Sequence, residues 1–371
     1  MTTSPLLIVN RLGQSIWLDY IQRALLAGGE FQRMIDRDGV SGVTSNPAIL
    51  EKAIVEHHDY DAEIEATSGL DARALYEQLA VEDLQQAADL LRPVYEASSG
   101  RDGFVSLEVS PHLADDAGAT IGEARRLWAV LDRPNSLIKV PATTAGVAAI
   151  RQLIADGINI NATLLFGLQR YQAVAESYLE GLDMRRQQGK PLEHVTSVAS
   201  FFLSRIDTLV DSRLDGLSDD ATRIQAQALR GRAAIASARL AYQTGKQLFS
   251  GERWQRLAQA GGRKQRLLWA STSTKDPGYS DIKYVEALIG PGTINTLPLE
   301  TLEAYRTHGQ PEARLESDID MARETLAGLA ALGIDMQAIS AQLEREGVQK
   351  FIVAFDKVLG NLARRIPAPV V

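Results

Sequence analysis

Short β-rich runs recur along the chain with amphipathic stretches between them, and this alternation limits the possible folds more than any other feature. Strands that alternate with helices are typical of βαβ units, whose strands form a parallel sheet. Eight such runs predict a closed (β/α)8 TIM barrel. A doubly wound open sheet has the same local pattern, so periodicity alone leaves it as an alternative. The runs are Gln14–Ile21, Val40–Pro47, Phe104–Pro111, Leu137–Thr143, Ile158–Phe166, Val195–Phe202, Leu267–Thr272 and Thr293–Pro298.

Two connections between these runs are longer than the others. Residues 50–102 and 206–266 each contain more than one predicted helix, and the second includes an amphipathic stretch at Ala221–Leu248. No linker rich in Pro, Gly or Ser isolates either connection, so both are interpreted as helical insertions on the barrel. Met336–Leu362 predicts a C-terminal helix. The whole chain, residues 1–371, is therefore expected to form one barrel domain.

Charge and composition exclude several classes of site. The net charge of −8 disfavours nucleic acid and anionic membranes as partners, whereas a small anion can still bind a local cluster of Arg or Lys. The chain has no cysteine, and its five histidines form no metal-binding pair of the HxH or HExxH type. It also lacks the glycine-rich loops that bind NAD or ATP. We therefore expect no metal and no cofactor.

The N-terminal segment Met1–Gly13 has no charged region followed by a long apolar stretch, so it does not resemble a signal peptide. No apolar run is long enough to cross a bilayer. These two observations favour a cytoplasmic location. The sequence leaves open whether the chain forms a homo-oligomer.

Lysine is scarce, with nine residues against thirty arginines, and Lys139 is the one lysine at the centre of an apolar strand. Strands of a parallel sheet are covered on both faces, so its ammonium group is expected to be buried. Desolvation lowers the pKa of a lysine, and a neutral amine can attack a carbonyl to form an imine. A lysine paired with a buried carboxylate for structural reasons fits Lys139 alone equally well.

Polar residues at the ends of other predicted strands favour the catalytic interpretation. In a TIM barrel the catalytic residues come from the C-terminal ends of different strands. Two carboxylates, Asp19 and Glu108, are candidates for acid–base catalysis beside an imine. Asn46 and Thr163 could instead bond the neighbouring backbone. The polar residues at these five strand ends are Asp19, Asn46, Glu108, Asn161 with Thr163, and Ser200.

Cationic and hydroxyl groups after the last strands predict a phosphate site. Arg205 follows the sixth predicted strand, and Ser271, Ser273 and Lys275 follow the seventh. Barrels often bind phosphate at this position, where backbone N–H groups and a basic side chain converge. Taken alone, Arg205 is better explained as a surface arginine paired with Asp207.

Three segments resemble the signatures of the transaldolase family. The first signature is similar to Gly42–Leu50 (GVTSNPAIL). The second, which contains a Schiff-base lysine, is similar to Leu137–Thr143 (LIKVPAT) together with Gly157–Phe166 (GININATLLF). Val105–Val109 (VSLEV) matches the glutamate strand of the family. The resemblance extends from about Asn10 to Leu362. The total length, with its large insertions, is similar to that of the long bacterial branch of the family. It implies the same TIM barrel fold.

The resemblance also implies a role for each candidate residue. Lys139 would form the Schiff base, and Asp19 would exchange the proton of the C4 hydroxyl group. Glu108 and Thr163 would hold a catalytic water. Further residues would orient the sugar, line the pocket or bind phosphate: Asn46, Asn161, Ser200, Phe202 and Arg205. The implied reaction transfers dihydroxyacetone from sedoheptulose 7-phosphate to glyceraldehyde 3-phosphate in the pentose phosphate pathway.

The chain departs from the family after the seventh strand. Many members have Ala-Ser-Phe-Arg there, and the arginine binds phosphate, whereas this chain continues as Thr272-Ser273-Thr274-Lys275. Lys275, with Ser271 and Ser273, is therefore the expected substitute.

Two other functions are compatible with such a barrel. A related Schiff-base aldolase would release free dihydroxyacetone, but the fructose-6-phosphate aldolases have tyrosine and glutamine where this chain has Phe202 and Glu108. A non-catalytic barrel that binds sugar phosphates would not need Lys139 together with Asp19 and Glu108.

Overall fold

The computed structural model describes residues 4–67, 69–217 and 220–366. Eight parallel strands form one closed barrel in which the strands follow each other in chain order and the last pairs with the first. The predicted TIM barrel is confirmed, and the open sheet is excluded. The strands are β1 Gln14–Leu18, β2 Val40–Thr44, β3 Phe104–Glu108, β4 Ser136–Pro141, β5 Ile160–Leu165, β6 Ser197–Phe202, β7 Arg266–Ala270 and β8 Thr293–Leu297.

Each predicted run overlaps one strand, but several strands end before the run does. The run that begins at Gln14 leaves the barrel after Leu18, and the run that begins at Val40 leaves it after Thr44. The residues that follow, including Asp19 and Asn46, therefore belong to the loops at the C-terminal end of the barrel. This is the end at which TIM barrels place their active sites.

Helices surround the barrel, as the alternation predicts. The described helices are α1 Pro5–Arg11, α2 Arg23–Ala27, α3 Glu30–Asp38, α4 Pro47–Glu56, α5 Asp61–Ala66, α6 Ala72–Ala97, α7 Ala117–Leu131, α8 Thr144–Asp156, α9 Leu168–Gln187, α10 Ser204–Asp215, α11 Asp220–Leu229, α12 Ala233–Leu248, α13 Glu252–Gln259, α14 Lys283–Ala287, α15 Leu299–His308, α16 Ile319–Ala331 and α17 Met336–Arg365. The two long connections thus contain α4 to α6 and α10 to α13.

The amphipathic stretch at Ala221–Leu248 forms two helices, because the chain turns between α11 and α12. Gly231 lies in this turn with a positive φ of 66°, and its N–H donates to Asp211 Oδ1 at 2.8 Å. A β-carbon at this glycine would lie 2.6 Å from the ring of Tyr279. Only glycine fits both the left-handed backbone and the close contact.

The predicted C-terminal helix is present as α17 and ends at Arg365, three residues beyond the predicted end. It packs against α4 and α6 and passes close to β5 and α10 at the C-terminal end of the barrel. Among the described residues no single helix is long and apolar enough to cross a membrane, and only the bent pair of α16 and α17 passes on length and composition.

Candidate active site

A cavity of about 400 Å³ opens at the C-terminal ends of the strands. Larger cavities lie elsewhere on the described surface, but Lys139 lines this one. Nine of the twelve predicted site residues line it: Asp19, Asn46, Lys139, Ser200, Phe202, Arg205, Ser271, Ser273 and Lys275. The other three, Glu108, Asn161 and Thr163, come from the adjoining strands β3 and β5.

Lys139 lies on β4 at the floor of this cavity, and only 3% of the residue is exposed. Its Nζ donates to the carbonyl oxygen of Ser45 at 2.9 Å and lies 3.4 Å from Glu108 Oε2. The ring of Phe351, from α17, lies with its centroid 5.8 Å from the same nitrogen. The lysine thus has the buried ion pair of the structural interpretation and also faces a cavity that a substrate can enter.

Strand register places the partners of Lys139 at its own level in the barrel. Glu108 on β3 pairs with Lys139, and Lys139 pairs with Asn161 on β5. Asn161 is held from both sides, since its Nδ2 donates to Ser106 Oγ at 3.1 Å and Ser200 Oγ donates to its Oδ1 at 2.6 Å. These bonds fix the amide beside the lysine.

Glu108 has an unusual environment for a carboxyl group. Its side chain is 3% exposed, and neither oxygen accepts a hydrogen bond from another described residue. Burial raises the pKa of Glu108 to about 7, although the Lys139 ammonium opposes the shift. A carboxyl group with this pKa can both give and accept protons near neutral pH.

The hydroxyl group of Thr163 is also buried without a partner among the described residues. Thr163 lies on β5 opposite Pro141 of β4, two pairs further along than Asn161. The next residue, Leu164, has a positive φ of 60°, and the pairing of β5 with β6 shifts register there. Bulges of this kind redirect side chains and are common near active sites.

Asp19 follows β1 directly and faces the same cavity. Thr44 Oγ1 donates to Asp19 Oδ1 at 2.6 Å. Burial raises the pKa of Asp19, while the positive charge of Lys139 and the bond from Thr44 lower it. The two predicted carboxylates therefore come from different parts of the barrel, Glu108 from the strand next to that of Lys139 and Asp19 from the loop after the strand three places away.

Asn46 caps the helix that follows β2. Its Oδ1 accepts hydrogen bonds from the backbone N–H groups of Ala48 and Ile49, at 3.0 Å each. The structural interpretation of Asn46 is thus present in the molecule. Because the cap uses the amide oxygen, the amide nitrogen is the group left to face the cavity.

Arg205 is half-buried in the first turn of α10, and its Nη1 is buried without a hydrogen-bond partner in the described part of the chain. Burial lowers the pKa of Arg205. The expected pairing with Asp207 is wrong, because Asp207 Oδ2 accepts instead from Lys283 Nζ at 3.0 Å and from Tyr284 at 2.9 Å. The guanidinium of Arg205 therefore lines the cavity, and its Nη1 remains available to donate to a ligand.

Hydroxyl groups and an ammonium group after β7 lie near Arg205. Ser271 has a positive φ of 55°, its carbonyl accepts the N–H of Ser204 at 3.0 Å, and the two hydroxyl oxygens lie 2.8 Å apart. Further on, Lys275 Nζ donates to Ser273 Oγ at 2.8 Å. These bonds join the loop after β7 to the start of α10. Arg205 and Lys275 therefore lie on the same side of the cavity.

A family model described as transaldolase/fructose-6-phosphate aldolase matches residues 16–362. The chain belongs to the transaldolase/fructose-6-phosphate aldolase family. Similar relatives include a transaldolase from Thiobacillus denitrificans, 47% identical over 95% of this chain and 98% of the relative. Transaldolase 2 from a Nostoc species is 44% identical over 99% and 98%. A transaldolase from Thermobifida fusca is 44% identical over 98% and 99%.

Several cavity residues of this transaldolase-family chain were missed by the sequence analysis. Phe351, Lys52, Glu300 and Tyr20 line the cavity with the predicted residues. Phe351 carries no motif, and its place depends on how α17 packs. Lys52 could have been found from the sequence, since it lies one helical turn after Ala48 of the segment Gly42–Leu50 and on the same helix face. Within the described ranges, no group of three or more His, Asp or Glu side chains is arranged to hold a metal ion.

Proposed function

We propose that this protein is a transaldolase that transfers dihydroxyacetone from sedoheptulose 7-phosphate to glyceraldehyde 3-phosphate, giving erythrose 4-phosphate and fructose 6-phosphate. The observation that carries the proposal is the buried Lys139 at the floor of the cavity, 3.4 Å from the Glu108 carboxyl group and within the electrostatic influence of Asp19. A buried lysine and two carboxyl groups that come from separate strands or strand ends suit covalent catalysis through an imine better than simple binding.

In the first step the Lys139 amine attacks C2 of the ketose. The ammonium must first lose a proton, and Glu108, 3.4 Å away with a pKa of about 7, is the acceptor. The resulting carbinolamine expels its C2 hydroxyl group as water, for which Glu108 returns the proton. A water held between Glu108 and Thr163, whose buried oxygens have no protein partner among the described residues, would relay these protons.

In the second step Asp19 removes the proton of the C4 hydroxyl group. The C3–C4 bond breaks, its electron pair moves into the iminium to form an enamine, and the aldehyde leaves. The reverse sequence with the acceptor aldehyde forms the new ketose, and water then releases it from Lys139. Because the iminium takes up the electron pair, the mechanism uses no metal and no other cofactor.

The remaining residues would position the substrate. Asn46 and Asn161 would bind sugar hydroxyl groups, Asn161 in the orientation that Ser106 and Ser200 fix. The phosphate would be held at the rim by Arg205 and the loop after β7, through Ser271, Ser273 and Lys275. Backbone and hydroxyl donors with a nearby cation are a usual setting for phosphate.

Two residues favour transfer over simple aldol cleavage. Phe202 lines the cavity, and its ring packs against Phe166 with the centroids 5.3 Å apart. An apolar wall there would limit protonation of the enamine before the acceptor aldehyde arrives. The fructose-6-phosphate aldolases have tyrosine at this place and glutamine in place of Glu108, so both positions match the transaldolases.

The proposed function is tested by supplying both substrates and measuring the products. We expect erythrose 4-phosphate and fructose 6-phosphate to form in equal amounts, with free dihydroxyacetone at background. Stoichiometric release of dihydroxyacetone from fructose 6-phosphate would identify an aldolase instead. Absence of any turnover, with sugar phosphate still bound, would support the non-catalytic alternative.

Replacing Arg205 by alanine should raise the KM for phosphorylated ketoses by about ten- to a hundredfold, because a charge-assisted hydrogen bond to phosphate contributes about 1.5–3 kcal/mol. Ground and transition states share this contact, so kcat should fall less than kcat/KM. Lys275→Ala should have a smaller effect in the same direction. Steady-state kinetics with fructose 6-phosphate, and with unphosphorylated fructose as the control, measure both. An unchanged KM in Lys275→Ala would remove Lys275 from the phosphate site.

A further inference from the structure

Two charged residues of the cavity have no role in the mechanism above, namely Lys52 and Glu300. Lys52 lies on α4, where Ala48, Ile49 and Lys52 all line the cavity. Residues three and four apart share one face of a helix, so this is the cavity face of α4. The Asn46 cap fixes the start of that helix and hence the position from which Lys52 extends.

Lys52 is exposed and forms no ion pair or hydrogen bond with any residue that the structure describes. The acidic residue next to Lys52, Glu51, pairs instead with Lys357 at 2.7 Å. The ammonium of Lys52 is therefore left without a protein counter-ion at the mouth of the proposed active site.

The cavity brings three such cations together. Desolvation lowers the pKa of Lys275, and the charges of Arg205 and Lys52 lower it further, while Glu300 and Asp19 raise it. The Lys139 ammonium has its own partner in Glu108. Cations that repel one another in this way are stabilised by a multiply charged anion between them.

Topology places these cations around the cavity. Lys52 follows β2, whereas Arg205 follows β6 and Lys275 follows β7. In a ring of eight strands β2 and β6 are opposite each other. An anion at the mouth of the cavity can therefore be contacted by Lys52 from the β2 side and by Arg205 and Lys275 from the opposite side.

We propose that Lys52 is a third cationic ligand of the substrate phosphate, in addition to Arg205 and Lys275. This inference rests on the proposed function and identifies a residue that selects phosphorylated sugars. Glu300, whose carboxylate lines the same cavity, would repel the phosphate. Lys52 takes no part in the bond-making steps at Lys139.

Binding of glucitol 6-phosphate, measured by calorimetry at low salt, tests the proposal without depending on turnover. This hexitol phosphate has no carbonyl group and cannot form an imine. We expect Lys52→Gln to raise its Kd by about 3- to 30-fold, Lys52→Arg to restore most of the affinity, and Glu300→Gln to lower the Kd. The control is Lys264→Gln, since Lys264 is an exposed lysine near the N-terminal ends of the strands.

The outcomes separate this inference from the proposed function. Unchanged binding in Lys52→Gln, with weakened binding in Arg205→Ala, would overturn the role of Lys52 alone. If the unmodified protein does not bind the hexitol phosphate, the phosphate site and the proposed function are both wrong. A Lys52→Gln variant that slows the turnover of unphosphorylated fructose equally would also contradict the proposal, because the loss would not concern phosphate.

Discussion

Replacing Lys139 by arginine is expected to lower kcat by about 10⁴- to 10⁶-fold, the range found when a covalent nucleophile is removed. A guanidinium stays protonated and cannot form the imine. The arginine would still meet the carboxyl group of Glu108, so the ion pair is preserved while the chemistry is lost. Single-turnover and steady-state rates with fructose 6-phosphate measure the effect.

Borohydride reduction in the presence of fructose 6-phosphate should attach a reduced dihydroxyacetone or sugar unit to Lys139, which mass spectrometry of the peptides will locate. The matched control is Lys190→Arg, a change at an exposed lysine after α9. That variant should keep both the label and the activity. A label on any other lysine, or residual labelling of the Lys139→Arg protein, would refute the proposed mechanism.

Asp19→Asn and Glu108→Gln are expected to lower kcat by about 10²- to 10⁴-fold each, but at different steps. Without the Asp19 carboxylate the C4 hydroxyl group keeps its proton, so the imine should form and accumulate while carbon–carbon cleavage is slow. Without the Glu108 carboxylate the Lys139 ammonium lacks its proton acceptor, so formation and hydrolysis of the imine should both be slow.

Borohydride trapping at successive times in a single turnover distinguishes these two defects. The Asp19 variant should give more trapped imine than the unmodified enzyme, and the Glu108 variant should give less at early times. Identical time courses for the two variants would show that the carboxylates do not divide the work.

The pKa of Glu108 adds a pH test of the same assignment. Burial raises this pKa to about 7, so the carboxylate form is lost as the pH falls through 7. The rate of imine formation should therefore fall by about tenfold per pH unit below that value. Glutamine cannot titrate, so the Glu108→Gln variant should lose this dependence. The same inflection in both proteins would assign it to another group.

Much of the fold could be predicted from the sequence because its signals are local. Alternation of strands and helices predicted the barrel, and each run overlapped one strand. The C-terminal ends of parallel strands meet at one end of a barrel, so polar residues there were expected to converge. Nine of the twelve predicted site residues line one cavity for this reason, and Lys139 connects Glu108 to the site directly.

Features that depend on packing between distant segments could not be predicted in this way. Phe351 lies near Lys139 only because α17 crosses the C-terminal end of the barrel. Arg205 is free of Asp207 because Lys283 and Tyr284, far along the chain, take that carboxylate. Neither arrangement leaves a signal in a short stretch of sequence.

The sequence by itself determined the alternation of strands and helices along the chain, the strand-end positions of the catalytic candidates and the one lysine at the centre of an apolar strand. Only the tertiary structure decided the properties of these groups. The pKa of Glu108 is raised because strands and helices from the whole chain remove water from it, and its charge is opposed by a lysine on the next strand. Desolvation and long-range charge depend on distances between segments, which a one-dimensional pattern does not specify.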